Sequence, residues 1–198
     1  MAFLAFAGPP VHATAANSPE MVVGRFHEAL LAAMKNADAW SYEQRRDSLA
    51  PIVAQSFDFA FMVRFASGVA WKAFDEAQQA RVSAAFADFT LANYAARFHG
   101  YSGQRFETLD TVPQRGGRVL VRSQLVKADG EAVRLDYLMN PSGDGWAIMD
   151  IFLDGKFSEL ARRRAEFAPL LRDQGAEGLI AALEDRAQRL AAGDDSAG

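Results

Sequence analysis

The hydrophobic periodicity of the chain changes at Gly100, and this change restricts the fold more than any other feature. Before Gly100, apolar residues recur at helical spacing, most clearly in FDEAQQARVSAAFADFTLANYAARFHG. After it, four runs of strand-forming residues are separated by PQRGG, ADGE and PSGDG, which are hairpin turn sequences. Short connections favour antiparallel neighbours. The sequence therefore predicts an α+β fold, with a mostly helical body packed on a four-stranded antiparallel sheet.

Capping signals mark where the predicted helices begin and end. Ser18 precedes Pro19 and can cap a first helix, while Ser41 and Asp75 can cap two later ones. Pro51 falls inside the second helix and is expected to kink or divide it. Gly68 is expected to end an aromatic-rich helix in a left-handed conformation. The predicted strands are 105–111, 118–127, 132–140 and 146–153, and helical sequence returns in 158–167 and 177–192.

Composition excludes several classes of function. The net charge of −4 argues against a nucleic-acid-binding protein, which needs a cationic face for phosphates. The chain has no cysteine, and its three histidines are scattered, so we expect neither a metal site nor a cofactor. The 15 phenylalanines imply either a thick core or an apolar cavity.

The amino-terminal segment MAFLAFAGPPVHATAA resembles a truncated or damaged signal peptide. It is small and apolar, and Ala13-Thr14-Ala15 fits the small-x-small pattern of a cleavage site. The alternative is an apolar tail. We therefore expect a signal-peptide remnant in 1–16, one domain in 17–192, a flexible tail in 193–198, and a periplasmic location.

Asp150 interrupts a strand that is otherwise apolar on both faces, from Trp146 to Leu153. The lack of alternation predicts that both faces of this strand are covered. A buried carboxylate has a raised pKa, so Asp150 is a candidate base, together with Asp136. The alternative is that Asp150 pairs with an arginine or points outward at a sheet edge. No catalytic triad, phosphate loop or dinucleotide fingerprint accompanies these carboxylates.

The segment LARRRAEF places three arginines in succession, Arg162 to Arg164. Consecutive residues fan around a helix, so at least one of them is expected to point inward. The cluster is either a solvated face with a salt bridge or a surface for lipid head groups or a partner, because guanidinium groups bind phosphate in a bidentate manner.

Two segments carry a family resemblance. The helical half contains Phe-Met-x-basic followed by Gly-x-x-Trp, and the C-terminal half contains Gly-Trp, Asp-x-x-x-x-Gly, Ser, Arg and Phe. In this chain the matching residues are Phe61, Met62, Arg64, Gly68, Trp71, Gly145, Trp146, Asp150, Gly155, Ser158, Arg164 and Phe167. This pattern resembles the MlaC family of periplasmic phospholipid-shuttle proteins, also called the toluene-tolerance auxiliary family. The form DIFLDGKFSELARRRAEF is most similar to the hopanoid-biosynthesis-associated HpnM branch.

The resemblance implies a non-enzymatic carrier with a deep apolar cavity for acyl chains. Its partners would be phospholipid or hopanoid lipid, an ABC-transporter-linked complex in the inner membrane, and a partner at the outer membrane. The chain departs from the family at Leu153-Asp154, where Val-Glu is common, and at Arg163, where Tyr is common.

On this interpretation, aromatic and aliphatic residues of the helices and strands line the cavity. The predicted lining is Phe61, Met62, Phe65, Trp71, Phe86, Phe89, Tyr94, Val121, Leu135, Tyr137, Ile148, Ile151, Leu160, Phe167 and Leu171. Arg64 and Arg164 are predicted at the head group or the cavity mouth. Two alternatives stay open: a pocket enzyme acting on a polycyclic isoprenoid lipid with Asp150 or Asp136 as base, and a non-lipid adaptor whose phenylalanines are all core.

Overall fold

The computed structural model describes residues 17–194 and residue 198. The predictions for the signal-peptide segment 1–16, and for most of the tail, lie outside these residues. Four helices precede the sheet and one long helix follows it. The helices are α1 (Pro19–Lys35), α2 (Tyr42–Ser56), α3 (Phe59–Ser67), α4 (Glu76–Arg97) and α5 (Glu159–Ala191), and a short 3-10 turn (Gly68–Ala73) joins α3 to α4.

The strands form an antiparallel meander in chain order, as predicted. They are β1 (Arg105–Pro113), β2 (Val119–Val126), β3 (Ala132–Ser142), β4 (Gly145–Leu153) and β5 (Phe157–Ser158). The sheet has five strands in the described residues, so the prediction of four was wrong. The additional strand has two residues, which is too short for a hydrophobic alternation to form. It is the end of a tight hairpin that leads directly into α5.

Side-chain caps begin the helices where the sequence predicts them. Ser18 Oγ accepts a hydrogen bond from the Met21 amide, and Pro19 occupies the first turn of α1. Ser41 and Asp75 each form a capping box with the glutamine three residues later. These caps satisfy amide groups that have no partner inside the helix.

Three backbone positions refine the predicted helices. α2 runs unbroken through Pro51, so the expected division does not occur. Gly68 ends α3, as predicted, with a φ of 59° and a ψ of −134°; φ is positive, but the residue is not in the left-handed helical conformation that was expected. The two predicted C-terminal helices are parts of α5, interrupted only at Gly175, where φ is 63° and ψ is −156°. These angles are outside the helical range, so Gly175 kinks the chain between the two predicted helices, as their separation in the sequence indicates.

The core lies between the helices and one face of the sheet. Phe26 of α1 is at its centre, with its ring edge-on to Phe57 at 5.2 Å and to Tyr94 at 5.1 Å between centroids. Four successive residues of β4, from Ala147 to Asp150, are buried. This confirms that both faces of the strand are covered at this point, and it explains why the sequence does not alternate.

Helix packing fixes the position of the candidate site. α5 packs against α4 and α3, and β4 contacts α1, α2, α3 and α5.

Within residues 17–194, no helix combines the length and the hydrophobicity needed to cross a bilayer.

Candidate functional site

A small cavity lies where α3, α4, β4 and the first turns of α5 meet. Its volume is about 80 Å³. Pockets that bury drug-sized ligands have volumes of several hundred Å³, so the predicted deep cavity is not open in this conformation. Its walls are lined by Phe57, Met62, Phe86, Phe89, Thr90, Asn93, Tyr94, Asp150, Ile151, Glu159, Leu160 and Arg163.

The structure brings together some of the predicted lining residues and separates others. Those at the cavity are Met62, Phe86, Phe89, Tyr94, Ile151 and Leu160. Phe61, Phe65, Trp71 and Arg64 line a surface groove of about 480 Å³. Leu171 and Arg164 line a second groove of about 360 Å³. Val121, Tyr137, Ile148 and Phe167 are buried in the hydrophobic core, and the half-buried Leu135 packs against it.

Asp150 caps the amino terminus of α5. Its carboxylate accepts hydrogen bonds from Ser158 Oγ at 2.5 Å, from the Leu160 amide at 3.0 Å and from the Ile151 amide at 2.8 Å. No arginine lies within 4.0 Å of it among the described residues, so the expected arginine partner was wrong. Burial raises the pKa of Asp150, while these hydrogen bonds favour the charged form. Both Asp150 oxygens accept hydrogen bonds from the start of α5 or from β4, so this carboxylate, which borders the cavity, anchors the helix.

Asp136 lies on β3 in an ion pair with Arg134. The Arg134 Nη2 atom is 3.0 Å from Asp136 Oδ2, and the Asp136 side chain is buried. Gly155 packs against this carboxylate with a φ of 67°, and a Cβ atom at Gly155 would lie 3.1 Å from Asp136 Oδ2. The glycine of the Asp-x-x-x-x-Gly motif is therefore required by both the turn and the close approach.

Arg163 is the arginine of the cluster that points inward, as predicted for one of the three. Its exposed fraction is 7%. The guanidinium lies 4.6 Å from the centroid of the Phe89 ring, and Nη1 donates to Glu166 Oε2 at 3.2 Å. Burial lowers the pKa of Arg163, with the neighbouring Arg162 adding to this effect. A cation–π contact of this kind joins α5 to α4 at the edge of the cavity.

Arg164 joins the two sequence segments that carry the family resemblance. Its guanidinium lies 5.1 Å from the centroid of the Phe65 ring. A Cβ atom at Gly68 would lie 3.4 Å from Arg164 Nε, so the glycine leaves space for the arginine to lie flat. The Arg164 side chain therefore connects α5 to the end of α3, while Arg64 is exposed on the outer side of α3.

The polar part of the cavity wall was missed by the sequence interpretation. Asn93 Oδ1 is buried without a hydrogen-bond partner, whereas Thr90 Oγ1 donates to the Phe86 carbonyl at 2.8 Å. One face of α4 contains Phe86, Phe89, Thr90 and Asn93, which follow one another at helical spacing. The spacing that predicts the two phenylalanines could therefore also have identified the two polar residues. The cavity is thus apolar toward α3 and partly polar toward α4 and α5.

A histidine–tyrosine pair lies in the core near this site. His27 Nε2 is 2.9 Å from Tyr137 Oη, and the His27 ring stacks on Phe106 at 4.1 Å between centroids. Burial lowers the pKa of His27 to about 4. Burial also raises the pKa of Tyr94 at the cavity. Both groups are therefore neutral near pH 7. Among the described residues, no group of three or more His, Asp or Glu side chains is placed to hold a metal ion.

Comparisons with known proteins agree with this architecture. The MlaC protein family matches residues 25–185. No curated protein sequence matches the chain significantly. A solved structure of a phospholipid-binding protein from Ralstonia solanacearum, in complex with a phospholipid, shares the fold with a TM-score of 0.74 at 22% identity. That alignment covers 86% of this chain and 97% of the other. Since the family match extends over most of the sequence, the chain belongs to the MlaC family.

Proposed function

We propose that this protein is a periplasmic lipid-binding carrier that moves phospholipid, or a hopanoid-type lipid of the HpnM branch, between the inner and outer membranes. Its partners would be an ABC-transporter-linked complex of the inner membrane and a protein at the outer membrane. The observation that carries the proposal is the family match over residues 25–185. The fold shared with a phospholipid-bound protein supports it.

The energetics of lipid transfer explain why such a carrier needs an apolar interior. Burying one methylene is worth about 0.8 kcal/mol, so exposing a chain of about 16 carbons to water costs on the order of 10 kcal/mol. The carrier does not need to bind lipid more tightly than a bilayer does. It needs an interior of comparable polarity, so that exchange is close to neutral when the two are in contact.

The proposed binding region is the cavity between α3, α4, β4 and α5, together with the core residues behind it. At about 80 Å³ the cavity must widen to admit an acyl chain. The aromatic side of the cavity offers dispersion contacts, and Met62 can adapt its shape because its side chain is unbranched. We propose that the cavity widens by separation of α3 from α5, which the Arg164 side chain connects through Phe65 and Gly68. We propose that Arg164 and Arg64 act at the mouth of the opened cavity, near the lipid head group.

The structure does not favour the enzymatic alternative. Asp150 is engaged by three hydrogen-bond donors and Asp136 by Arg134. An Asp150→Asn variant that exchanges lipid normally, provided that it folds, would argue against a catalytic carboxylate at this position.

Native mass spectrometry of protein purified from a bacterial host tests the carrier proposal directly. We expect co-purifying lipid on the wild-type protein, and transfer of labelled phospholipid from donor to acceptor vesicles. Replacing Ile151 by Trp should fill the cavity and reduce bound lipid severalfold. The matched control is Leu109→Trp, at a position on β1 that is 47% exposed. Absence of both bound lipid and transfer activity in wild-type protein would refute the proposal.

A further inference from the structure

The face around the 3-10 turn between α3 and α4 presents an unusually exposed apolar side chain. Val69, at the tip of this turn, is 84% exposed, more than any other large hydrophobic residue in the described part of the chain. Phe61, Phe65 and Trp71, half-buried, line the groove of about 480 Å³, which shares Gly68 with the groove that Val69 borders. A single exposed valine is ordinary, but one next to a row of aromatic rings forms a contiguous apolar surface.

Cations surround this apolar surface. Arg64, Lys72 and Arg164 are exposed, and none of them has a carboxylate within 4.0 Å among residues 17–194. Arg118 adds a fourth cation, with its guanidinium 6.0 Å from the Phe61 ring centroid. This concentration of positive charge contrasts with the net charge of −4 for the whole chain.

The apolar residues and the cations belong to one continuous surface, which we name the Val69 face. The two grooves of about 480 and 360 Å³ share Gly68, and Val69 borders the second. Arg164 lies over Phe65 of the first groove while also lining the second. The one carboxylate in these linings, Asp58, is used as the N-cap of α3, where it accepts a hydrogen bond from the Phe61 amide at 3.0 Å.

We propose that the Val69 face docks the protein on the anionic surface of a lipid bilayer. A protruding aliphatic side chain, a neighbouring tryptophan and exposed cations without carboxylate partners match the head-group layer, where apolar groups enter the interface and cations contact phosphates. An acidic protein surface would instead require fixed positions for each charge. The proposal goes beyond lipid carriage, because it concerns the membrane surface to which the protein binds while lipid is exchanged.

The expected strength of membrane association follows from the number of cations on the Val69 face. Each Lys or Arg near an anionic membrane strengthens association by about fivefold at moderate ionic strength. Arg64, Lys72 and Arg164 together therefore contribute a factor of roughly 100. This contribution should fall steeply as salt is added, because the charges are exposed.

A second exposed hydrophobic site provides an internal control. Phe157, the first residue of β5, is 65% exposed and lies near Lys156 and Arg162. There two carboxylates, Asp154 and Glu159, offset two of the three cations Arg97, Lys156 and Arg162, and Arg162 pairs with Glu159 at 2.7 Å. The Val69 face differs in its excess of positive charge, because Arg64, Lys72, Arg164 and Arg172 line its two grooves with one carboxylate, Asp58.

Vesicle flotation tests the proposal. We would compare vesicles of phosphatidylglycerol and phosphatidylcholine with vesicles of phosphatidylcholine alone, at low and high salt, and measure protein rather than lipid uptake. We expect salt-sensitive binding to the anionic vesicles only. Lys72→Glu should weaken it about 25-fold, because it changes the local charge by two. Val69→Ser should weaken it severalfold at every salt concentration.

The controls separate this proposal from lipid carriage. Lys156→Gln and Phe157→Ser together should leave flotation within about twofold of wild type. Lys72→Glu and Val69→Ser should retain the wild-type content of co-purified lipid and the wild-type circular dichroism spectrum. The proposal is overturned if wild-type protein does not float with anionic vesicles, or if the Phe157 variant loses as much binding as the Val69 variant. The first of these results would instead point to an acidic protein surface as the partner.

Discussion

Acidification should destabilise the protein through His27. The His27 side chain is 4% exposed, its Nε2 atom is 2.9 Å from Tyr137 Oη, and its pKa is lowered from 6.5 to about 4 by burial. The unfolded chain therefore binds a proton on His27 at a higher pH than the folded protein does. Stability is fully present above the unfolded pKa and is lost as the pH falls toward the folded pKa.

The size of this loss follows from the difference between the two pKa values. One pKa unit corresponds to about 1.4 kcal/mol, so the full loss is about 3 kcal/mol below pH ~4. At about pH 5 the unfolded histidine is almost fully protonated and the folded one is mostly neutral, which gives a loss of about 2 kcal/mol. A loss of this size is a large fraction of the stability of an ordinary domain.

Urea unfolding at pH ~7 and pH ~5, followed by tryptophan fluorescence, measures this effect. The control is His27→Gln, which can keep a hydrogen bond to Tyr137 but cannot titrate. The raised pKa of Asp150 makes the folded protein more stable as the pH falls, which is opposite to the effect of His27. Both proteins contain Asp150, so its effect cancels when their free energies of unfolding are subtracted. If the free energy of unfolding differs between wild type and His27→Gln by the same amount at both pH values, His27 is not held neutral by burial.

Two further predictions concern single backbone or capping positions, and the urea midpoint checks both. Gly68→Ala should destabilise by about 1–3 kcal/mol, because φ is 59° and ψ is −134°, a conformation that strains a residue with a Cβ atom. Gly24→Ala, in the interior of α1 with no atom within 4 Å of the new Cβ, should instead stabilise by up to about 1 kcal/mol; stabilisation by both would contradict the argument. Asp150→Ala should cost about 2 kcal/mol or more, since the Leu160 amide loses its acceptor; an unchanged midpoint would contradict its capping role.

Local chemistry made much of the fold predictable. Ser18, Ser41 and Asp75 cap helices through contacts with residues three positions later, and such contacts leave a clear pattern in the sequence. β5 was not predicted because a strand of two residues is too short to show an alternation of apolar and polar side chains. The kink at Gly175, which separates the two parts of α5, was predictable because only glycine adopts such a backbone conformation readily.

The candidate site was predictable in part. Hydrophobic periodicity shows which face of a helix or strand a residue occupies, but it does not show which residue of another element lies next to it. The α4 residues Phe86 and Phe89 were found by their spacing, and they do border the cavity. The partner of Asp150 depends on how the chain returns through β5, and it is Ser158 and not an arginine. Of the three arginines, the one that enters the interior is decided by the rotation of α5 against α4, which no local pattern specifies.

The two edges of the sheet have a consequence for how the protein behaves at high local concentration. β1 shifts register between Thr108 and Asp110 and ends at Pro113, while β5 offers only two residues for pairing. A bulge and a proline disturb the row of amide groups to which another strand would add, and a two-residue strand is too short to act as a template. Strand addition is therefore disfavoured at β1 and β5, and beyond β5 the edge of β4 is partly occupied, because the Asp58 amide donates to the Ile148 carbonyl at 2.8 Å. Such resistance to aggregation suits a protein whose core contains so many phenylalanines.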